Sequence, residues 1–282
     1  MTNLISRFCE RSKQVLMNKK FLFPIIIIVI IGLALIFHYL VNSSLFSTQP
    51  QELDPQIQEI KSRGTIIIGT NATFPPMESI DENGNFAGID IEIAKKIAQD
   101  LGVEAEFKQI DWQIIFDQLL AGETDMLISG ITILPERTEK MAFSNPYFNA
   151  GQVIVIQKNK LQEIMGVANL YGKKIGVQAD TTRNFEAQKF TTEVVGYLDY
   201  AAAKTDLLNG NLDAIMVDYP VGIDLVAGEE NLVILGEPFT QEFYGVAVRK
   251  ESQALLNQIN HTLVQLKKSG ELDGIINQWI KK

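Results

Sequence analysis

The apolar positions of the chain follow two different patterns. Residues 21–40 form one run of about twenty residues without a formally charged side chain, whereas later segments alternate short apolar runs with periodic ones. In one periodic segment Ile93, Ile97 and Leu101 lie four positions apart, and Gly102 follows directly. Such a stripe predicts an amphipathic helix that ends at the glycine.

The later segments predict strands and helices in alternation. Strands are expected at 65–70 and 105–110 on either side of the first helix, and a second helix opening at Trp112 leads to an apolar run at 126–128. The second half repeats the alternation, with predicted strands and helices at 173–177, 181–189, 194–195, 201–208 and 213–217. This order is typical of parallel α/β sheets, whose ligands bind beyond the carboxyl ends of the strands.

The N-terminal apolar run predicts a membrane segment. A helix of about twenty residues is about 30 Å long, which is enough to cross the hydrocarbon core of a bilayer. Basic side chains precede the run, so we expect a cytoplasmic N-terminus and an exported remainder. We predict a cytoplasmic basic segment at 1–20, a transmembrane signal anchor at 21–41 and a tether at 42–60. A cleaved signal peptide is disfavoured, because the run is long and its one passable cleavage site is Val41-Asn42-Ser43.

The composition of the chain limits which binding partners and which chemical reactions can be expected. The 282 residues are 46% apolar, which allows a large core, and 25 basic against 34 acidic residues give a net charge of −9. That balance disfavours nucleic acid as a partner. The single cysteine, Cys9, precedes the apolar run, so the exported part has neither a disulfide nor a thiol nucleophile. We predict no catalytic residue, no metal site and no cofactor, because no Ser-His-Asp set or metal-ligand spacing is evident.

Candidate binding chemistry is concentrated between residues 127 and 148. The apolar run that ends at Ile128 changes abruptly to Ser129-Gly130-Ile131-Thr132, and Arg137 follows five residues later. Polar groups at a strand end beside an arginine favour a carboxylate-bearing small molecule, because a guanidinium group binds a carboxylate through two parallel hydrogen bonds. From these residues alone, a turn followed by a solvent-exposed arginine fits equally well.

The runs S-G-I-T-I-x-P-E-R and F-S-x-P-Y in this stretch resemble the central signature of the polar amino-acid-binding proteins of ABC importers. That family has the type 2 periplasmic binding fold, and the resemblance covers more than three quarters of the chain. It implies an α/β protein of two lobes, a Venus-flytrap, with two hinge-crossing strands at 151–156 and 244–248. Lobe 1 is then expected at 61–151 and 242–282, and lobe 2 at 152–241.

The resemblance also implies which residues contact the ligand, namely Asn71, Phe74, Trp112, Gly130, Thr132, Arg137, Thr182 and Asp218. Arg137 and Thr182 are expected to hold a carboxylate. Gly130, Thr132 and Asp218 are expected to hold an ammonium group. A buried cation together with a buried anion suits a zwitterionic amino acid, because each charge needs a partner once it is removed from water.

The remaining assignments concern the ligand's side chain. Phe74 and Trp112 are expected to enclose it from two sides. Asn71 stands where members that bind basic side chains generally have an aspartate, and an amide cannot neutralise a cation, so glutamine or another neutral polar amino acid is favoured. Without the resemblance, we would interpret Phe74 as a core residue and Asp218 as a helix cap. Thr182 is one of several residues there that can cap a helix, and capping would not prevent it from binding a ligand.

These features predict a receptor outside the cytoplasm, periplasmic or on the outer face of the cytoplasmic membrane, that closes over an amino acid and delivers it to an ABC permease. The alternative is an exported cyclohexadienyl (prephenate or arogenate) dehydratase on the same scaffold. Such an enzyme needs a cleft acid with a tuned pKa. A third alternative is the sensor module of a signalling receptor, for which a second apolar span or a kinase segment is expected.

Overall fold

The computed structural model describes residues 30–39 and 54–280, which belong to two separate units. Residues 30–39 are helical and largely exposed. Within the described ranges, no helix has the length and apolar character needed to cross a membrane. The rest of the predicted anchor at 21–41, the basic segment at 1–20 and the first part of the predicted tether lie outside the described residues.

The end of the predicted tether at 42–60 is helical, which corrects that prediction. Asp54 accepts hydrogen bonds of 3.0 and 3.4 Å from two amide groups of the first turn. Pro55 occupies the first helical position, where a missing N–H group costs nothing, so this proline begins a helix rather than breaking one. The resulting helix, α1 (Pro55–Arg63), buries Ile60 in the core of the folded unit.

The strands of the folded unit are short. In chain order they are β1 (Thr65–Thr70), β2 (Thr73–Phe74), β3 (Glu78–Ile80), β4 (Phe86–Ala87), β5 (Glu104–Gln109), β6 (Met126–Leu127), β7 (Met141–Phe143), β8 (Phe148–Asn149), β9 (Gln152–Gln157), β10 (Ile175–Gln178), β11 (Val194–Tyr197), β12 (Ala214–Asp218), β13 (Leu232–Leu235), β14 (Phe243–Tyr244) and β15 (Ala247–Arg249). The predicted strands are therefore present, with ends that differ by a residue or two.

The α-helices that follow α1 separate these strands. They are α2 (Ile89–Leu101), α3 (Ile115–Leu120), α4 (Pro135–Thr138), α5 (Thr182–Ala187), α6 (Tyr200–Leu208), α7 (Tyr219–Val226), α8 (Gln253–Ser269) and α9 (Glu271–Trp279). The helix predicted to open at Trp112 begins with a 3-10 turn, Trp112–Ile114, before α3.

Two five-stranded sheets organise the unit. Their strand orders are β5-β1-β6-β15-β7 and β11-β10-β12-β9-β13. In the first sheet β1 pairs in parallel with β5 and β6, and in the second β10 pairs in parallel with β11 and β12. Each sheet has helices on both faces, which explains why its central strands are nearly continuous apolar runs. This architecture confirms the predicted two-lobed α/β fold.

Two strands cross between the sheets and run antiparallel to their new neighbours. β9 enters the second sheet between β12 and β13, and β15 returns to the first between β6 and β7. The predicted return strand at 244–248 is split in two, because its first residues pair with β8 and its last with the first sheet. The two crossing segments thus contact each other through the β8–β14 pair.

A pair of buried carboxyl groups supports the loop after β6. Glu78 accepts a hydrogen bond of 2.8 Å from the Ser129 hydroxyl, and Asp90 accepts one of 2.7 Å from the amide of Gly130. The Tyr147 hydroxyl also donates to Asp90, at 2.9 Å. Both carboxyl groups are fully buried. Burial raises the pKa of both, that of Asp90 to about 6, and the charge of Asp90 raises the pKa of Glu78 further.

Replacement of Glu78 by glutamine is expected to stabilise the protein at pH 8, by on the order of 1 kcal/mol, and to change little at pH 4. The folded state holds these protons more tightly than the unfolded state, so wild-type stability falls as the pH rises from about 4 through the raised pKa values. Glutamine keeps the acceptor for Ser129 and removes one charge. Urea unfolding at both pH values measures the difference, with the exposed Glu82→Gln variant as control. A Glu78→Gln variant less stable than wild type at pH 8 contradicts this account.

Candidate functional site

The predicted ligand-binding residues meet at the facing edges of the two sheets. Each is the last residue of a strand, follows the carboxyl end of a strand closely, or lies in the turn or helix that comes next. Because parallel strands end at the same edge, residues far apart in sequence converge there. Six of the eight are buried, whereas Arg137 and Thr182 are half-buried. The structure therefore gathers the predicted set at one cleft, although several members have partners that the sequence did not indicate.

Gly130 forms a tight turn at the end of β6. Its φ of 51° lies in the left-handed region, and a Cβ atom at this position would lie 3.1 Å from the Phe74 ring. Glycine is the residue that tolerates both conditions without strain. Its amide already donates to Asp90. Since an ammonium group is a hydrogen-bond donor, the carbonyl of Gly130 is the group that suits a ligand's ammonium.

Arg137 is held by aromatic rings and one carbonyl group. Its guanidinium carbon lies 5.5 Å from the centre of the Trp112 ring and 4.9 Å from that of Phe116. Its Nη1 donates a hydrogen bond of 2.9 Å to the carbonyl of Thr132. Burial lowers the pKa of Arg137 to about 10, and the charge of Arg183 contributes to the shift. The guanidinium thus remains charged at neutral pH, and no carboxylate in the part of the chain described here forms an ion pair with it.

Contacts across the cleft join the two lobes. The indole N–H of Trp112 donates a hydrogen bond of 3.0 Å to the carbonyl of Asp180. Phe74 faces Tyr200, with ring centroids 5.9 Å apart. We expected Phe74 and Trp112 to enclose the ligand's side chain, but each ring already has a partner from the opposite lobe, Tyr200 and Asp180 respectively.

The Asn71 side chain is engaged at both ends. Its Nδ2 donates to the carbonyl of Ile110 at 3.0 Å. Its Oδ1 accepts a hydrogen bond of 2.8 Å from the Thr73 hydroxyl, and the Gln178 amide lies 3.4 Å from the same oxygen. Asn71 therefore fixes the loop after β1 and contacts the second lobe through Gln178.

Arg183 was not anticipated as a site residue. It is 3% exposed, and its Nη1 lies 2.6 Å from Oδ2 of Asp218. Its guanidinium carbon lies 5.0 Å from the centre of the Phe74 ring. The Tyr244 hydroxyl donates to the same Asp218 oxygen. Burial raises the pKa of Asp218, and the charge of Arg183 opposes that rise.

The capping alternatives for the second lobe are not supported. Asp218 precedes α7, but its side chain makes no capping hydrogen bond. Thr181, not Thr182, occupies the N-cap position of α5, and its hydroxyl donates to the carbonyl of Gln178, at 2.7 Å, rather than accepting a capping hydrogen bond. The hydroxyl of Thr182 lies 3.4 Å from the Gln152 amide, within the cleft.

Glu242 is the second residue that sequence reasoning missed. Its Oε2 accepts a hydrogen bond of 2.7 Å from the Thr132 hydroxyl, and its Oε1 accepts one of 2.9 Å from the Gln152 amide. The side chain is buried. Burial raises the pKa of Glu242, and the nearby charge of Asp218 adds to the rise. The sequence did contain one signal for Glu242, because this residue directly precedes β14 (Phe243–Tyr244), where the chain returns through the cleft.

Comparison with known proteins gives a consistent family. The model for bacterial extracellular solute-binding proteins, family 3, matches residues 66–282. The L-cystine-binding protein TcyJ of Escherichia coli (strain K12) is 32% identical over 228 residues, which are 79% of this chain and 85% of TcyJ. The ABC transporter glutamine-binding protein GlnH of Bacillus subtilis (strain 168) is 35% identical over 206 residues, 71% of this chain and 75% of GlnH.

A solved structure extends the similarity to the fold. The crystal structure of a mutant of ArgBP from T. maritima superposes with a TM-score of 0.76 at 41% identity, covering 80% of this chain and 99% of ArgBP. The similar proteins are binding components of transport systems rather than enzymes. The chain therefore belongs to family 3 of the bacterial extracellular solute-binding proteins, as an amino-acid-binding protein of an ABC transporter and not an enzyme.

Proposed function

We propose that the protein binds a neutral polar amino acid, of which glutamine is the model, in the cleft between its lobes and presents it to an ABC permease. This proposal depends on the state of the Arg137 side chain. Its guanidinium is charged, held in place by the Thr132 carbonyl and two rings, and without a carboxylate partner in the described part of the chain. A cation held in this way matches an α-carboxylate, and Thr182 supplies a nearby hydroxyl.

The ammonium group and side chain of the ligand have their own expected partners. Gly130, Thr132 and Asp218 are the groups that the family resemblance assigns to the ammonium. Phe74 and Trp112 are the rings assigned to the side chain. Their convergence at one cleft supports this arrangement, and the closed contacts between lobes suit a receptor that encloses its ligand by hinge rotation.

Two observations support a neutral side chain over a basic one. Asn71 carries an amide rather than a carboxylate, so it cannot neutralise a ligand cation. Arg183 places a guanidinium over the Phe74 ring, where a second cation would be repelled. An amide oxygen, in contrast, can accept a hydrogen bond from Arg183. The similarity to a protein named as glutamine-binding is consistent with this choice.

We also infer that the N-terminal segment anchors the protein to the outer face of the cytoplasmic membrane. The uncharged run at 21–41 and the basic residues before it support an anchor, and the described part, 30–39, is helical.

We propose that lobe 1 comprises 61–151 and 242–282, and that lobe 2 comprises 152–241. The crossing strands β9 and β15 support boundaries near these positions.

Replacement of Arg137 by alanine is expected to weaken amino-acid binding by about 3 to 5 kcal/mol, because the ligand carboxylate would lose its charged partner in a desolvated cleft. Arg137→Lys should recover part of the loss, since a lysine keeps the charge but not the paired hydrogen bonds. Isothermal titration calorimetry measures both variants. Lys140→Ala, which removes an exposed cation from the same segment, is the control. Unchanged affinity in Arg137→Ala would refute the proposed carboxylate site.

A thermal-shift screen of the full chain in mild detergent should identify the ligand among the twenty L-amino acids. A ligand at a hundredfold its dissociation constant adds about 2.7 kcal/mol to stability, which gives a clear shift. Glutamine is expected to act at lower concentration than arginine or lysine. The Arg183→Ala variant should narrow that difference, because it removes the cation beside Phe74. If arginine stabilises the wild type more than glutamine does, the neutral-ligand proposal is wrong.

Membrane fractionation should find the full chain with the membranes after a wash at high salt. A chain that begins at Asn42 and carries a cleavable export signal should appear in the soluble extracytoplasmic fraction. The physical reason is that about twenty apolar residues bind a bilayer far more strongly than any surface contact. Release of the full chain into the soluble fraction at its complete mass, or after cleavage near Asn42, would exclude the anchor.

A further inference from the structure

A cavity outside the cleft lies between the two lobes. Its volume is about 400 Å³, and small-molecule sites typically have volumes of about 300 to 1,000 Å³. The first lobe contributes Thr73 and Pro75, whereas the second contributes residues of α6 and α7. None of the predicted ligand-binding residues lines this cavity. It is therefore a candidate for a second site, which we name the α6–α7 cavity.

Much of the wall of the α6–α7 cavity is apolar. Pro75, Val221 and Leu225 supply aliphatic surface, and Tyr200 supplies an aromatic ring. The same ring faces Phe74, with ring centroids 5.9 Å apart, so the cavity and the amino-acid cleft are neighbours. These groups suit the apolar body of a small molecule, because its contact with them removes apolar surface from water.

Asp224 is the acid of the α6–α7 cavity that has no direct partner. Across residues 54–280 its carboxylate forms neither a hydrogen bond nor an ion pair, and it remains accessible to solvent. Partial burial raises the pKa of Asp224, and the charge of Lys204 opposes the rise. The Nζ atom of Lys204 is paired elsewhere, 3.0 Å from Oε1 of Glu229. Asp224 therefore senses a cation at a distance and has room for a closer one.

The other acid of the cavity already has a role. Oδ1 of Asp199 accepts a hydrogen bond of 3.0 Å from the amide of Ala202 and so caps α6. Two carboxylates and one lysine with a partner of its own give the cavity an acidic balance. An anion would meet both carboxylates, and a neutral molecule would leave Asp224 unpaired. A cation with an apolar body matches both the charge and the walls.

A smaller cavity of about 140 Å³ also lies between the lobes and shares Asp224 with the first. Trp279 and Pro76 of the first lobe line it. The indole N–H of Trp279 is buried and has no acceptor among the residues that the structure describes. The contact between the lobes is thus incompletely packed on this side, so an occupant at Asp224 would add contacts between them.

We propose that the α6–α7 cavity binds a small organic cation, with an ammonium group at the Asp224 carboxylate and an apolar body against Val221 and Leu225. Because each lobe supplies one wall, the complete site exists only when the lobes are closed. The cation therefore favours the closed form, which is also the form that encloses an amino acid. Each ligand strengthens the binding of the other. This coupling, though not the cation site itself, rests on the proposed amino-acid-binding function.

The test measures the affinity of the full chain for L-glutamine by calorimetry, without and with about 10 mM phenethylamine or hexylamine. If another amino acid binds more tightly in the screen, it replaces glutamine. Both amines carry an ammonium group on an apolar body. The matched controls are phenethyl alcohol, which lacks the charge, and ammonium chloride, which lacks the apolar body.

Variants locate the effect within the protein. Asp224→Asn removes the charge and keeps the size of the side chain. Ala201→Phe places a ring in the cavity from an exposed position of α6. Ala202→Phe is its control, because it adds the same ring at an exposed neighbour that does not line the cavity. The measured quantity is the ratio of glutamine affinities with and without amine in each variant, so a change in basal affinity does not enter.

At least one amine is expected to strengthen glutamine binding by the wild type about threefold or more, and the control compounds should change it by less than about 1.5-fold. The gain should disappear in Asp224→Asn, which lacks the charge, and in Ala201→Phe, in which the cavity is filled. It should persist in Ala202→Phe.

Several results would overturn the inference. Glutamine binding that is unchanged or weakened by both amines is one, since an amine that enters the cleft competes with the amino acid. A gain that persists in Asp224→Asn, that Ala202→Phe also loses, or that phenethyl alcohol reproduces is another, because the Asp224 charge or the cavity then has no part in it.

A wild-type chain that binds none of the twenty amino acids would refute the proposed function rather than the cation site. The site is then tested by thermal shift with the amines alone. Wild type and Ala202→Phe should be stabilised, and Ala201→Phe and Asp224→Asn should not. No shift in the wild type with either amine would refute the site as well.

Discussion

Removal of charge from water is the constraint on which this cleft depends. A carboxylate or guanidinium taken out of solvent costs several kcal/mol unless another charge and well-placed hydrogen bonds offset it. Arg183 and Asp218 meet this requirement within the protein, because they face each other at 2.6 Å. Arg137 meets it only in part, through one carbonyl group and two aromatic rings. On our proposal, the carboxylate of an amino acid would supply the charged partner that Arg137 lacks in the described part of the chain.

The sheets determine where these charges can be. Parallel strands deliver their carboxyl ends to one edge, and the two crossing segments bring the edges of both sheets together. The buried carboxyl groups of Glu78 and Asp90 hold the turn at Gly130 in place. Glu78 accepts a hydrogen bond from the Ser129 hydroxyl, and Asp90 accepts one from the amide of Gly130. The loop after β6 is thus held by two acidic side chains that are themselves buried beside it.

Local pattern was sufficient to predict much of this protein. The strand that ends before Ser129, the glycine and threonine after it, and the helix stripe at Ile93 are all visible in short windows, because strand and helix periodicity act over a few residues. Arg183 and Glu242 escaped this reasoning. Glu242 contacts Thr132 across 110 positions, and its place just before the returning strand was its one local signal. Such contacts arise from tertiary folding. The helix that begins at Pro55 was missed within the predicted tether, although a proline that breaks a helix in its interior can occupy its first turn.

The hydrogen bond between Trp112 and the carbonyl of Asp180 has an optical consequence. The chain has two tryptophans, and the other, Trp279, lies in the last helix, α9. Separation of the lobes would break the Trp112 contact, and it would also change the surroundings of Trp279, which lines a pocket with Pro220 and Ile223 of the second lobe. The emission of the unlabelled protein therefore carries a signal of lobe separation, and the rate of opening can be followed in real time without an introduced dye.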